Sequence, residues 1–139
     1  MPIRIRMSEQ LGLVVVTLEG VVTEDEVRRQ LTPLIEVPEV SLLPHLLLDA
    51  TRAEGASGLT EVVHEGALKA IERIDSRIDP GAKAAIAATR DEFFAYGRMY
   101  EQLRGDSPVA FHVFRSLREA EEWLELPEGY EERLRDAQP

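Results

Sequence analysis

The chain's 139 residues suffice for one domain with its own core, and the absence of cysteine excludes disulfides, thiolate catalysis and Cys-ligated zinc. Apolar residues make up 44% and charged ones 30%, as in ordinary folded proteins, and no apolar run reaches the length of a membrane span. A net charge of −10 repels phosphate backbones and anionic lipid, so neither nucleic acid nor stable membrane insertion is expected.

The opening "MPIRIRMSEQ" lacks a long apolar segment and a small-residue cleavage site, so no signal peptide is expected and the predicted location is the cytoplasm. Within it "IRIRM" alternates apolar and basic residues, the period of a half-buried strand. After the turn "EQLG", the run "LVVVTLEG" is apolar on both faces and belongs inside a sheet. So short a link makes these two strands antiparallel. "TEDEVRRQLTPLIE" then opens a helix. Thr23 and Glu26 form a capping box, and Val27, Leu31, Leu34 and Ile35 form an apolar stripe. Pro33 should kink or end that helix.

"HLLLDA" (45–50) is predicted as a short buried strand ending near Asp49, followed by the loop "TRAEGASG". A helix from Leu59 to Ile74 should bury Leu59, Val62, Val63, Ala67, Ala70, Ile71 and Ile74, until "DPG" stops it. The alanine-rich stretch from Ala82 to Leu103 favours one long helix by propensity. Thr89 and Glu92, a second capping box, and the strand–helix rhythm on either side divide it instead into a strand (83–88) and a helix (90–103). That helix turns Phe93, Tyr96, Tyr100 and Leu103 inward, with Gly97 allowing close packing. "VAFHVF" is the last strand. Ser116 with Glu119 opens a final helix, whose Trp123 falls in phase with Leu117, Ala120 and Leu124 and so anchors it to the sheet. Pro127 and Gly129 end it, leaving residues 127–139 as an acidic tail holding at most a short helix.

The predicted order is β-β-α-β-α-β-α-β-α: a single α/β domain over residues 1–126 with a mostly parallel five-stranded sheet, its first strand antiparallel. With "VFRSLREAEEWL", "LEGVVTEDEV" and "LLLDA" on the page, the chain resembles the SpoIIAA-like branch of the STAS superfamily, the anti-sigma-factor-antagonist fold. The resemblance covers most of residues 3–126. It implies a protein-interaction switch rather than an enzyme, controlled in that family by phosphorylation of a serine at the start of the helix after the third strand. The family motif there is roughly Asp-Ser-Ser/Thr-Gly-Leu. Here it reads Gly55-Ala56-Ser57-Gly58-Leu59, so only Ser57, Gly58 and Leu59 carry over.

Ser57 is therefore the phosphoacceptor candidate, although a serine there equally serves as a helix cap. Asp49, at a parallel strand's carboxyl end, occupies the usual ligand crevice of α/β folds, and Arg52, Glu54 and Gly58 share its loop. Phe94, Tyr96 and Tyr100 could stack a ligand, but at helical spacing they read first as packing. Glu61 and His64 make half of a di-metal motif with no second copy, while His45 and His112 have no identifiable catalytic partner. No phosphate-cradling glycine loop occurs. No metal, cofactor or catalytic residue is expected. The functional expectation is a non-enzymatic module acting through a protein partner or a second copy of itself. The alternative is a carrier or sensor of a small apolar ligand or lipid, held between the "FFAYGRMY" helix and the sheet near Asp49.

Overall fold

The computed structural model describes residues 2–35 and 37–137. Strand β1 (Ile3–Ser8) sends Ile3, Ile5 and Met7 into the core and Arg4 and Arg6 to the opposite face, as a period of two dictates. It pairs antiparallel with β2 (Leu13–Thr23), Ile5 opposite Val16. Parallel strands β3 (His45–Ser57), β4 (Lys83–Ala87) and β5 (Ala110–Phe114) then add in sequence order. Expected as five strands, the sheet has six, in the order β5-β4-β3-β2-β1-β6. The added strand, β6 (Arg135–Asp136), is antiparallel to β1 and comes from the acidic tail. The tail's helical part is a 3-10 turn (Tyr130–Arg133). Its last two residues lie outside the described ones.

Because strands β2 to β5 always advance the same way, right-handed crossovers send every connecting helix to one face of the sheet. On that face Leu59 and Val62 of helix α4 (Leu59–Arg73) and Phe93 of helix α5 (Asp91–Leu103) pack over Val14, Val16 and Ala50. The other face holds Leu13, Val15, Leu47, Ala85 and Ala87, covered by helix α6 (Leu117–Trp123) and the tail's Tyr130.

The division of 82–103 into strand and helix holds, with β4 contributing the buried row Ala84 to Ala87. Glycine permits the close approach of α5: a Cβ on Gly97 would sit 3.1 Å from Val113 Cγ1 and 3.2 Å from Ile86 Cγ2. The box at Thr89 does not form. Arg90 is the N-cap of α5 and makes no side-chain cap bond, so the helix starts one residue later than the motif implied. By contrast Thr23 caps as expected: its Oγ1 accepts from Glu26 N at 3.2 Å, and Glu26 Oε1 accepts from Thr23 N at 3.1 Å. At Ser116 half the arrangement appears, with Oγ accepting from Glu119 N at 3.2 Å.

Pro33 does not end its helix. Helix α1 (Glu24–Glu26) passes through a π-helical stretch (Val27–Leu31) into helix α2 (Thr32–Ile35), and Thr32 N–H donates to Val27 O. One extra residue per turn just before the proline shifts the carbonyls its ring would strike. Val27, Leu31 and Leu34 of the predicted stripe pack against the core; the side chain of Ile35 lies outside the described part. A short helix α3 (Pro38–Ser41) leads into β3.

The larger correction concerns 51–57. Expected as a loop, it continues β3 to Ser57, because β2 itself runs on to Thr23 and supplies its backbone partners. Register shifts between Thr17 and Glu19 and between Gly20 and Val21 break the alternation that would have announced the pairing. Val22 and Ala53 are buried in this extension.

Candidate functional site

The expected site residues fall into three separate places. Asp49 is buried at 6% exposure on the α6 side of the sheet, in phase with Leu47. Its Oδ1 accepts from Thr51 N at 2.9 Å and from Thr51 Oγ1 at 2.6 Å, so it ties the strand where its register shifts. The crevice expected there has no reversal of strand order to form it, and β3 runs on past Asp49 to Ser57. An open sheet creates one where its strand order reverses, and β2 to β5 never reverse.

Arg52, Glu54, Ser57 and Gly58 lie farther along β3 and at its end. Arg52 and Glu54 are exposed, Arg52 pairing with Glu19 across the ribbon at 3.5 Å. Ser57 is exposed as well and is not the cap of α4. Gly58 takes that position at φ +66°, with no side-chain cap bond. A Cβ on Gly58 would meet Glu24 Oε2 at 3.5 Å. Glu24 in turn shares Arg28 with Glu65 of α4, and hydrogen bonding to Arg28 holds the Glu65 carboxyl below its ordinary range.

The aromatic residues stand across the sheet from Asp49. Phe94 lies beneath the Arg115 guanidinium, 3.8 Å from its ring centroid, and Tyr96 meets Phe93 edge-on at 6.4 Å. Tyr100 contacts Phe111 edge-on at 5.4 Å and accepts a 2.7 Å bond from Arg104 Nη1. Gly97 sits tight on Val113 and Ile86, so α5 and the sheet leave no space for a ligand at that point. Trp123 is half-buried and anchors α6 as expected, resting on Phe114 at 5.6 Å with Lys83 Nζ 5.3 Å from its ring centroid.

Sequence reasoning missed two features. The first is a buried polar centre: Arg104, 5% exposed, caps the C-terminus of α5, where a cation suits the helix dipole. Its Nη2 donates to Asp75, which follows α4, and reaches Ser107 Oγ at 3.3 Å. Burial raises the Tyr100 hydroxyl above its ordinary range against the opposing pull of Arg104. Beside this centre lies a cleft of about 370 Å³, lined in part by Glu101, Arg104, Ser107 and Phe111. No local signal marks a pair 29 residues apart.

The second is an apolar ridge. Ile71, expected in the core, is 46% exposed, and Leu68 one turn away is 58% exposed. With Ala67, Leu103, His64 and Glu65 they line a groove of about 280 Å³ between α4 and α5. Helical periodicity flags Leu68, which falls outside the stripe that Leu59, Val62, Ala67 and Ala70 bury, but it places Ile71 within that stripe. Among the described residues no three His, Asp or Glu side chains are grouped to hold a metal.

His45 opens β3 next to Lys83, and its buried Nδ1 has no partner among the described residues. Burial first, then the charge of Lys83, hold the imidazole below its ordinary value of 6.5, while Glu125 opposes them. The folded protein thus favours neutral His45, and the unfolded chain takes up its proton first as pH falls. Its contribution to stability is complete above pH 6.5 and is lost as pH falls through the lower folded value. Denaturation midpoints at neutral pH and near pH 5 should converge in His45→Gln relative to the wild type; an unchanged gap would assign the acid sensitivity elsewhere.

No family model matches the chain, and no curated protein does. Among solved structures it is similar to an uncharacterized protein of the DUF3478 family from Shewanella loihica PV-4, whose crystal structure has a SpoIIAA-like fold. The two share 21% identity over 88% of this chain and 91% of that one, with a TM-score of 0.55. This fold is SpoIIAA-like. The sheet that carries that name here adds β6 to the five strands expected, and among the described residues no helix is long and apolar enough to cross a membrane. At this identity the likeness concerns the SpoIIAA-like architecture, and the surfaces above are this chain's own.

Proposed function

We propose that the chain is a non-enzymatic, cytoplasmic STAS-like module that regulates by binding a partner protein, and that the ridge of α4 is where the partner docks. The observation that carries this reading is the exposure of Leu68 and Ile71 on a helix whose other face is already buried. Two large aliphatic side chains one turn apart, beside an apolar groove, suit an apolar face on the partner rather than solvent. The close contact of Gly97 with Val113 and Ile86 weighs against the alternative of an apolar ligand held beneath the middle of α5. Ser57 fits a regulatory role to the extent that its hydroxyl is exposed and not spent on capping α4.

The double substitution Leu68→Glu with Ile71→Glu tests the reading. Both positions are exposed, so thermal stability should change little. Wild-type protein cross-linked in its host should give one defined complex, which the double variant fails to form. The same complex recovered with the variant would refute the α4 surface.

A further inference from the structure

The two edges of the sheet are treated differently. At one edge β6 is two residues long and fenced by ion pairs, Arg4 with Asp136 at 3.2 Å and Arg135 with Glu9 at 2.6 Å. Short, charged edges resist further pairing. At the other, β5 reads "AFHVF", with His112 as its one titratable residue and neither lysine nor proline to block it. Ala110 N donates to Ala82 O at 2.9 Å, and Phe114 O accepts from Ala88 N at 2.9 Å. Residues 110, 112 and 114 therefore point their backbone groups at β4, which turns those of Phe111 and Val113 outward. Among the described residues no strand pairs with β5 on that side.

Alongside this edge lies the 370 Å³ cleft, to which Ala110 and Phe111 of β5 contribute. Its charges are unequal in availability. Arg104 is buried and engaged by Asp75. Glu101, 21% exposed in its side chain, meets the exposed Arg98 at 3.4 Å and His112 Nδ1 at 3.9 Å, contacts that a better-placed cation can replace. The chain as a whole carries −10, so a second copy approaching the edge is repelled and a basic segment is attracted.

We propose that the outer edge of β5 takes up an extended, lysine- or arginine-rich segment of a partner protein as a further strand, one basic side chain lying in the cleft against Glu101. Backbone pairing at Phe111 and Val113 supplies affinity and the cleft supplies selectivity. This surface is distinct from the α4 ridge and does not depend on it.

The probe is a fluorescein-labelled Lys-Val-Lys-Val-Lys-Val-Lys peptide, with Glu-Val-Glu-Val-Glu-Val-Glu as its opposite. Fluorescence anisotropy should show the basic peptide binding, more weakly at high salt, and the acidic one not binding. Glu101→Lys should weaken binding about tenfold. Amide exchange at Phe111 and Val113 should slow on binding, and Leu68→Glu with Ile71→Glu should leave affinity unchanged. Val113→Pro removes one outward donor and should abolish binding; if that variant unfolds, the Glu101→Lys and exchange results decide alone. Equal binding of the two peptides, no binding, or protection confined to α4 would overturn the proposal. So would protection of Phe111 and Val113 that grows with protein concentration in the absence of peptide, which would place a second copy on the edge.

Discussion

Asp75→Ala is expected to destabilise the fold by about 3–5 kcal/mol, a larger loss than Arg104→Met produces. Arg104 is 4% exposed in its side chain and Asp75 14%. Deleting the carboxylate leaves a guanidinium buried with the Tyr100 hydroxyl and Ser107 Oγ as partners, and its Nε has no partner among the described residues. Deleting the guanidinium strands a carboxylate that water reaches more readily, and methionine refills the space among Tyr100 and Phe111. Urea midpoints at constant slope measure the difference. Equal losses, or a greater loss in Arg104→Met, would show that the burial of Arg104 is not what makes the pair costly to break.

Tyr130→Ala should cost about 3–5 kcal/mol, because the tail is part of the core. Tyr130 is 7% exposed among Leu13, Leu47, Ala85 and Leu124, and its hydroxyl donates to Glu121 at 2.6 Å. Removing the ring unfastens the 3-10 turn that aims β6 at β1, so the Ala137 N–H, bonded to Ile5 O at 3.0 Å, should exchange faster. Burial first, then the bond to Glu121, push the Tyr130 hydroxyl above its ordinary value of 10.0. The folded state therefore favours the protonated phenol, and the unfolded chain ionises first as pH rises. This stability is complete below pH 10.0 and lost above it. Tyr130→Phe should accordingly lose stability at neutral pH yet decline less steeply in base. A steep decline equal to the wild type's would assign the alkaline loss to Tyr100 instead.

Much of the fold was legible because it is written in short-range periods. Alternation in "IRIRM", the double-faced run before Thr23 and the capping box at Thr23–Glu26 each specify an element from neighbouring residues alone. The split between Lys83 and Leu103 was readable for a related reason: flanking helices demand a strand between them, even one made of alanine. Residues 51–57 were unreadable as a strand because their bulged partner in β2 disguises the alternation. The candidate site was legible only in part. Asp49, Ser57 and the aromatic residues stood out by residue type and position alone. Their convergence was not a property of the chain's local pattern, and the sheet separates them.

Left to itself, the amino-acid order determined most of the helices and strands outside 51–57 and the tail, the parallel course of the sheet and the acidity of the chain, since these follow from nearest-neighbour chemistry and simple sums. Tertiary structure alone decided that the tail returns as β6, that Arg104 meets Asp75, and that Ile71 stays outside while Tyr130 goes in. Each of those outcomes depends on which remote element arrives to cover a given face, and no local period encodes that arrival.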